Sequence, residues 1–336
     1  MLRNLRFAAV ALACAAPCVT AAQAATVPAS ADRLFEFQSS LWVNLHHFLY
    51  ASARARRGLD TSRTAIRLAM RDTAGYGKLS ATMRRGWDDA LAYYDREFAQ
   101  KDILFDSALV AITDKLSAAG AAPSLARAGI DSTLRRILES AAPAYRANWW
   151  PRHDASNQRW IAALKPLLAA HGVAAAQFEA RVFRAAWPDS PRVDVCAYTN
   201  WAGAYTTGGP AGAGRNRAAI HVSSIDPADL GTPAFESVFH EVLHTMDDSL
   251  FSVLRGAFRA AGTRFPRDPT HGFIFYTAGA VAKQAYPSYT PMAEAGGIWS
   301  RGDFPRMLPL LRAHWQSYLD GTITMEEALH RIAAGW

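Results

Sequence analysis

The chain has 336 residues, half of them hydrophobic, 19% charged and 11% aromatic, with a net charge of +7. That balance excludes a disordered chain, a membrane bundle, a collagen and a disulfide-dense miniprotein, and the length allows one large domain or two ordinary ones. Only 9 of the 29 acidic residues are Glu, so a Glu placed beside a His is informative.

Residues 1–24 read as a secretory signal peptide. Arg3 and Arg6 precede a short apolar run over 7–16, and Ala22-Gln23-Ala24 forms an A-x-A cleavage site. Its removal leaves 312 residues with a charge of about +5. The expected destination is outside the cytoplasm, periplasmic or secreted. The mild charge, with no basic run interleaved with aromatics, predicts no nucleic-acid partner. No later run of about 18 uninterrupted apolar residues predicts a membrane span. Of three cysteines only Cys196 follows the signal, so stability must come from the core and not from an internal disulfide. Cys196 lies in a strand-like stretch, which suits a packing role better than a nucleophile.

Residues 25–190 read as a helical domain. Leu34, Phe37, Leu41, Leu45, Phe48 and Leu49 recur at helical spacing across 31–57. Further helices are expected over 79–100, 104–118, 133–138, 144–171 and 174–185, with Pro151 and Pro166 kinking or splitting the longest. His46 and His47 diverge by about 100° on such a helix and cannot easily share one ion. They read as packing or surface residues unless the first helix crosses the second half. The pair Trp149-Trp150 before Pro151 reads as a core plug.

Residues 191–336 read differently. Strands are expected over 192–198 and 218–223, joined by a connection that contains the glycine-rich 208–214 and acts as a hairpin loop. Helices follow over 233–250, 251–261, 272–285, 304–318 and 325–334. The fold class is therefore α+β, mainly α: a helical first half, then a half with a small antiparallel sheet beside several helices.

The chemistry concentrates in His240-Glu241-Val242-Leu243-His244, an HExxH motif. Thr232 and Pro233 make a good helix start, and Phe235, Val238, Phe239, Val242, Leu243 and Met246 give an apolar face. Spacing i, i+4 places His240 and His244 on one side, near enough to share a metal ion. Glu241, turned about 100° from His240, can reach a water at that ion without binding it. Two histidines and a glutamate in an apolar helix are costly without such a partner.

The motif and the strand before it resemble the zincin metallopeptidases. The resemblance covers roughly residues 192–285 and implies one Zn²⁺, a peptide or protein substrate, and Glu241 as general base. It also implies an edge strand beside the motif helix, for which residues 218–223 stand in the right place. The metzincin continuation is excluded, because Asp247 and Leu250 occupy its Gly and His positions. The layout is closest to gluzincins, yet the helix over 272–285 contains no acid. His271, 27 residues after His244, is the preferred third ligand. Glu294 is second, and Asp247 or Asp248 third, with orienting a ligand imidazole by a hydrogen bond as their other reading. Tyr276 is a candidate oxyanion donor or a core aromatic. Tyr286 and Tyr289 are weaker candidates, and His221 is expected to face solvent or the cleft. The competing readings are a non-catalytic zinc-binding protein whose helical half is an interaction module, and a helical binding module with an accidental motif.

Overall fold

The computed structural model describes residues 27–60, 63–207 and 219–336. The signal reading over 1–24 and the glycine-rich loop at 208–214 lie outside these residues. The elements are β1 (Glu36–Gln38), α1 (Leu41–Arg56), α2 (Thr64–Arg71), α3 (Ala81–Glu97), α4 (Ser107–Ala119), α5 (Ser132–Asn148) and α6 (Trp150–Phe183). They continue with β2 (Arg192–Cys196), β3 (Ala204–Thr207), β4 (Ala219–Ser223), α7 (Thr232–Leu243), α8 (Asp248–Ala261) and α9 (Pro269–Ala285). Shorter helices α10 (Met292–Ala295), α11 (Phe304–Leu310) and α12 (Gln316–Leu319) precede α13 (Met325–Gly335), and a π turn joins α11 to α12.

The chain is mainly helical with one small sheet, as expected, but the sheet is mixed and not antiparallel. Its order is β1-β2-β4-β3. β1 and β4 flank β2 in parallel, and only β3 runs antiparallel, against β4. The strand expected over 218–223 and at an edge is β4, an inner strand, and among the described residues β3 lies outside it. β1 interrupts what the apolar spacing predicts as one helix over 31–57; α1 starts only at Leu41.

Pro151 occupies the first turn of α6, where its missing N–H costs nothing, and Pro166 sits within one continuous helix of 34 residues. By length and composition α6 could cross a membrane. In this fold its Trp160, Leu164, Leu168, Ala176, Ala180 and Phe183 are buried in a core shared with α7, α9 and α13. A second core joins α1 to α5 and takes in Cys196, Tyr198 and Tyr205 from the sheet side. There Trp149 is buried and stacks on Trp87 at 4.4 Å, while Cys196 is fully buried and free. The sheet divides the two cores. Val193, Val195, Ile220 and Val222 face α6 and α7, while Asp194, Cys196, Tyr205 and His221 belong to the α1 side.

One buried charge-bearing group stands out. Glu179 of α6 is fully buried, and neither carboxylate oxygen has a hydrogen-bond partner. Burial pushes its pKa well above the ordinary 4.5. Such a group takes up a proton on folding. Its contribution is best below 4.5 and worsens as pH rises through the folded value. Glu179→Met should therefore stabilise the protein at pH 8 by about 1–3 kcal/mol and much less at pH 4. Urea unfolding at both pH values checks this, and equal gains at the two would contradict it.

Candidate metal centre

Two helices build the site. α7 carries His240 and Glu241, and α9 faces it through Phe273, Ile274 and Ala278, all with no exposed surface, against buried Phe235, Val238, Phe239 and Val242. Interlocking of these apolar stripes fixes the two helices relative to each other. α7 is shorter than the apolar pattern predicts. It ends at Leu243, where the amides of Thr245 and Met246 donate to the carbonyls of Val242 and Leu243 and close a tight turn. His244 is the C-cap residue, still near helical angles at φ −61° and ψ −16°. The i, i+4 relation to His240 thus survives at the helix end.

His271 occupies the first turn of α9. His240 Nε2 lies 3.3 Å from His244 Nε2 and 3.2 Å from His271 Nε2. All three histidines offer a nitrogen within 4.8 Å of the others, and the group could hold a metal ion. Donors bound at about 2.0–2.1 Å in a tetrahedral set stand about 3.3–3.4 Å apart, which the two shorter separations match. Without a cation, an N–H at His240 Nε2 can point at only one of these two nitrogens and leaves the other without a donor there.

The surroundings of His240 and His244 favour neutral imidazoles. His240 is 4% exposed, and burial, then His244 and His271, hold its pKa well below the ordinary value. Burial and His271 lower His244 to about 3. Asp268, just before α9, accepts from His271 Nδ1 at 3.0 Å. That bond fixes the proton on Nδ1 and leaves Nε2 a lone pair directed at the other rings. His240 Nδ1 is enclosed without a partner, so its ring is held by packing alone. Phe275 supplies that packing, at 4.4 Å from the His240 ring and stacked on His271 at 4.5 Å. The site opens outward at His271, whose side chain is 32% exposed.

Glu241 sits beside the triad, 6% exposed. Thr206 Oγ1 of β3 lies 2.7 Å from its Oε2 and 2.8 Å from its backbone oxygen. Burial raises the carboxyl to about 8, the Thr206 bond opposes this, and Asp229 adds to it.

The remaining sequence candidates fall elsewhere. Tyr276 does not reach the triad: its hydroxyl donates to Gln316 Oε1 at 2.9 Å. Five residues past His271 means a rotation of about 140° on the helix, so the i+4 position, Phe275, takes the place beside the rings. Tyr276 instead lines a pocket of about 290 Å³ with Phe275, Trp299, Leu308 and Arg312. Glu294 is exposed at the same pocket, 3.9 Å from Arg312. Asp247 bonds Thr270 at the start of α9, and Asp248 opens α8 exposed. His221 is fully buried and not in solvent, and His46 and His47 are fully buried in hydrogen bonds to Tyr94 and Tyr205. Tyr286 packs on His171. Sequence reasoning missed Asp268 as the partner of His271, although an Asp three residues before a ligand on a helix start is the available signal. It also missed Thr206, because β3 went unread.

Purified protein should take up one zinc ion per chain, and His240→Ala, His244→Ala and His271→Ala should each abolish uptake. Asp268→Asn should weaken binding by about 10–100-fold. Competition with a chromogenic chelator measures both, and full retention in His271→Ala would remove that residue from the site. No family model, no curated protein and no solved structure matches this chain, so what the centre does has to follow from its own residues.

Proposed function

We propose that the protein is an exported zinc-dependent hydrolase, most simply a metallopeptidase, with His240, His244 and His271 holding the ion and Glu241 as general base. The observation that carries this reading is a buried carboxyl, Glu241, next in the chain to one of three histidines whose ring nitrogens converge. A site that only stores or structures a metal has no use for an unligated Glu there. When bound, zinc supplies a Lewis acid and two positive charges, which favour an ionised Glu241 and a more acidic water.

Glu241 then accepts a proton from water as the water oxygen bonds to the substrate's carbonyl carbon. The same carboxyl returns the proton to the amide nitrogen as the C–N bond breaks, so atoms and charge balance. Phe275 packs on the His240 and His271 rings and covers that side of the triad, while His271 opens the other to solvent. Among the described residues β3 has no strand on its far side, which supports pairing with an extended peptide. The zincin resemblance supports the same substrate class. The export half of the proposal rests on the composition of residues 1–24.

Glu241→Gln should keep one zinc per chain and lose at least about 100-fold in hydrolysis of a fluorescently labelled unfolded protein. Tyr276→Phe, whose hydroxyl is spent on Gln316, should change the rate by less than about threefold. Equal activity of Glu241→Gln and wild type would overturn the enzyme reading. A loss of about 100-fold in Tyr276→Phe would restore that phenol to the mechanism.

A further inference from the structure

Among the described residues the outer strand β3 has four residues and one ladder neighbour, β4. Side chains alternate across a strand, and here the two sides do different work. Tyr205 and Thr207 point to the side of α1 and α4. The Tyr205 hydroxyl donates to His47 Nε2 at 2.6 Å, and His47 Nδ1 donates to the Val43 carbonyl at 2.9 Å. Thr207 Oγ1 donates to Asp114 Oδ1 at 2.6 Å and lies 3.2 Å from His221 Nε2. His221 stacks on Tyr205 at 4.7 Å. Tyr205, His47, His221 and Thr207 are all at least 96% buried. On the other side, Thr206 places its hydroxyl against Glu241.

We infer that Thr206 is a positioning residue for Glu241, and that α1 and α4 act on the hydrolytic reaction by bolting β3 in register. The inference rests on the proposed function for its kinetic half. A short outer strand with one ladder is weakly held by backbone bonds alone. A slip by one residue would put Tyr205 or Thr207 opposite Glu241 and turn Thr206 away. The bolts to His47 and Asp114 prevent that slip. Thr206 then fixes one carboxylate oxygen, leaving Oε1 to meet the water. The polar surface of α1 and α4 under the sheet thereby acquires a task, since none of it touches the three histidines.

The test compares Thr206→Val, Thr206→Ser, and the pair Tyr205→Phe with Thr207→Val, all as full-length zinc-loaded protein. Thr206→Val should lower kcat by about 10-fold or more with KM within about twofold and zinc affinity unchanged, and Thr206→Ser should recover to within about threefold of wild type. The double variant should lower kcat in the same sense and raise hydrogen exchange at the β3 amides. Added to Thr206→Val it should cost little more, because both act through one contact. Equal rates in Thr206→Val and wild type, no recovery in Thr206→Ser, or fully additive losses would overturn the inference. Unchanged β3 exchange in the double variant would overturn the bolting half without reference to turnover. Failure of the function itself shows separately, as a Glu241→Gln variant no slower than wild type. If the Val variant does not fold, the Ser and double variants still decide the matter.

Discussion

Three imidazole nitrogens that meet between α7 and α9 are the constraint on which the second half of the fold depends. The His240 and His244 rings have been taken out of water, and neither can hold a proton cheaply, as their lowered pKa values show. Buried polar groups without partners cost free energy, so the packing that gathers them has to be strong. It comes from two fully buried apolar stripes, Phe235, Val238, Phe239 and Val242 against Phe273, Ile274 and Ala278. Rotating either helix by one residue would separate the nitrogens and expose part of a stripe together. Asp268 and Phe275 then set what packing alone leaves free, the tautomer and plane of His271.

The sheet is arranged around the same requirement. Its α7-facing side chains are apolar except for Thr206, while its other face is rich in buried polar groups. Those groups form hydrogen-bonded sets that cross from sheet to helix: His47 with Tyr205, Thr207 with Asp114, and Asp194 and Gln38 with Ser117. A buried polar layer specifies one register more sharply than an apolar one, because a shift leaves donors and acceptors unmatched. Tyr205 and Thr207 are thus tied to α1 and α4 on the face opposite the metal centre.

The helices were legible because their apolar residues repeat at the helical period over long stretches, and α7 was legible twice, by pattern and by motif. His271 was legible from the spacing after His244 and from the absence of acids on α9. Other parts were hidden for physical reasons. Ala204-Tyr205-Thr206-Thr207 is too short to show alternation, and its buried face is polar, opposite to what a strand pattern looks for. β1 lies in an apolar stretch whose spacing also suits a helix, and its partner β2 is more than 150 residues away in sequence. The parallel pairing of β2 and β4 follows from a crossover no local signal announces. Tyr276 follows His271 closely in sequence yet bonds Gln316, because nearness in sequence is not nearness on the helix surface. His221 alternates with apolar neighbours as an exposed residue would, but in this sheet both faces are covered.

Under the proposed reading, a histidine at the third ligand position has an electrostatic consequence for Glu241. Three neutral ligands leave the full charge of a bound dication at the site, whereas a carboxylate ligand would cancel half of it. Glu241 is pushed to about 8 chiefly by burial, with Asp229 adding in the same direction, so as a free carboxyl it is a poor base at neutral pH. In a water-poor site an uncancelled dication acts strongly on a carboxyl one residue from its ligand. The scarcity of Glu and the histidine at 271 therefore belong to one design under the proposed reading. The carboxyl that needs the charge is Glu241, and the carboxylate of Asp268 is kept one imidazole away.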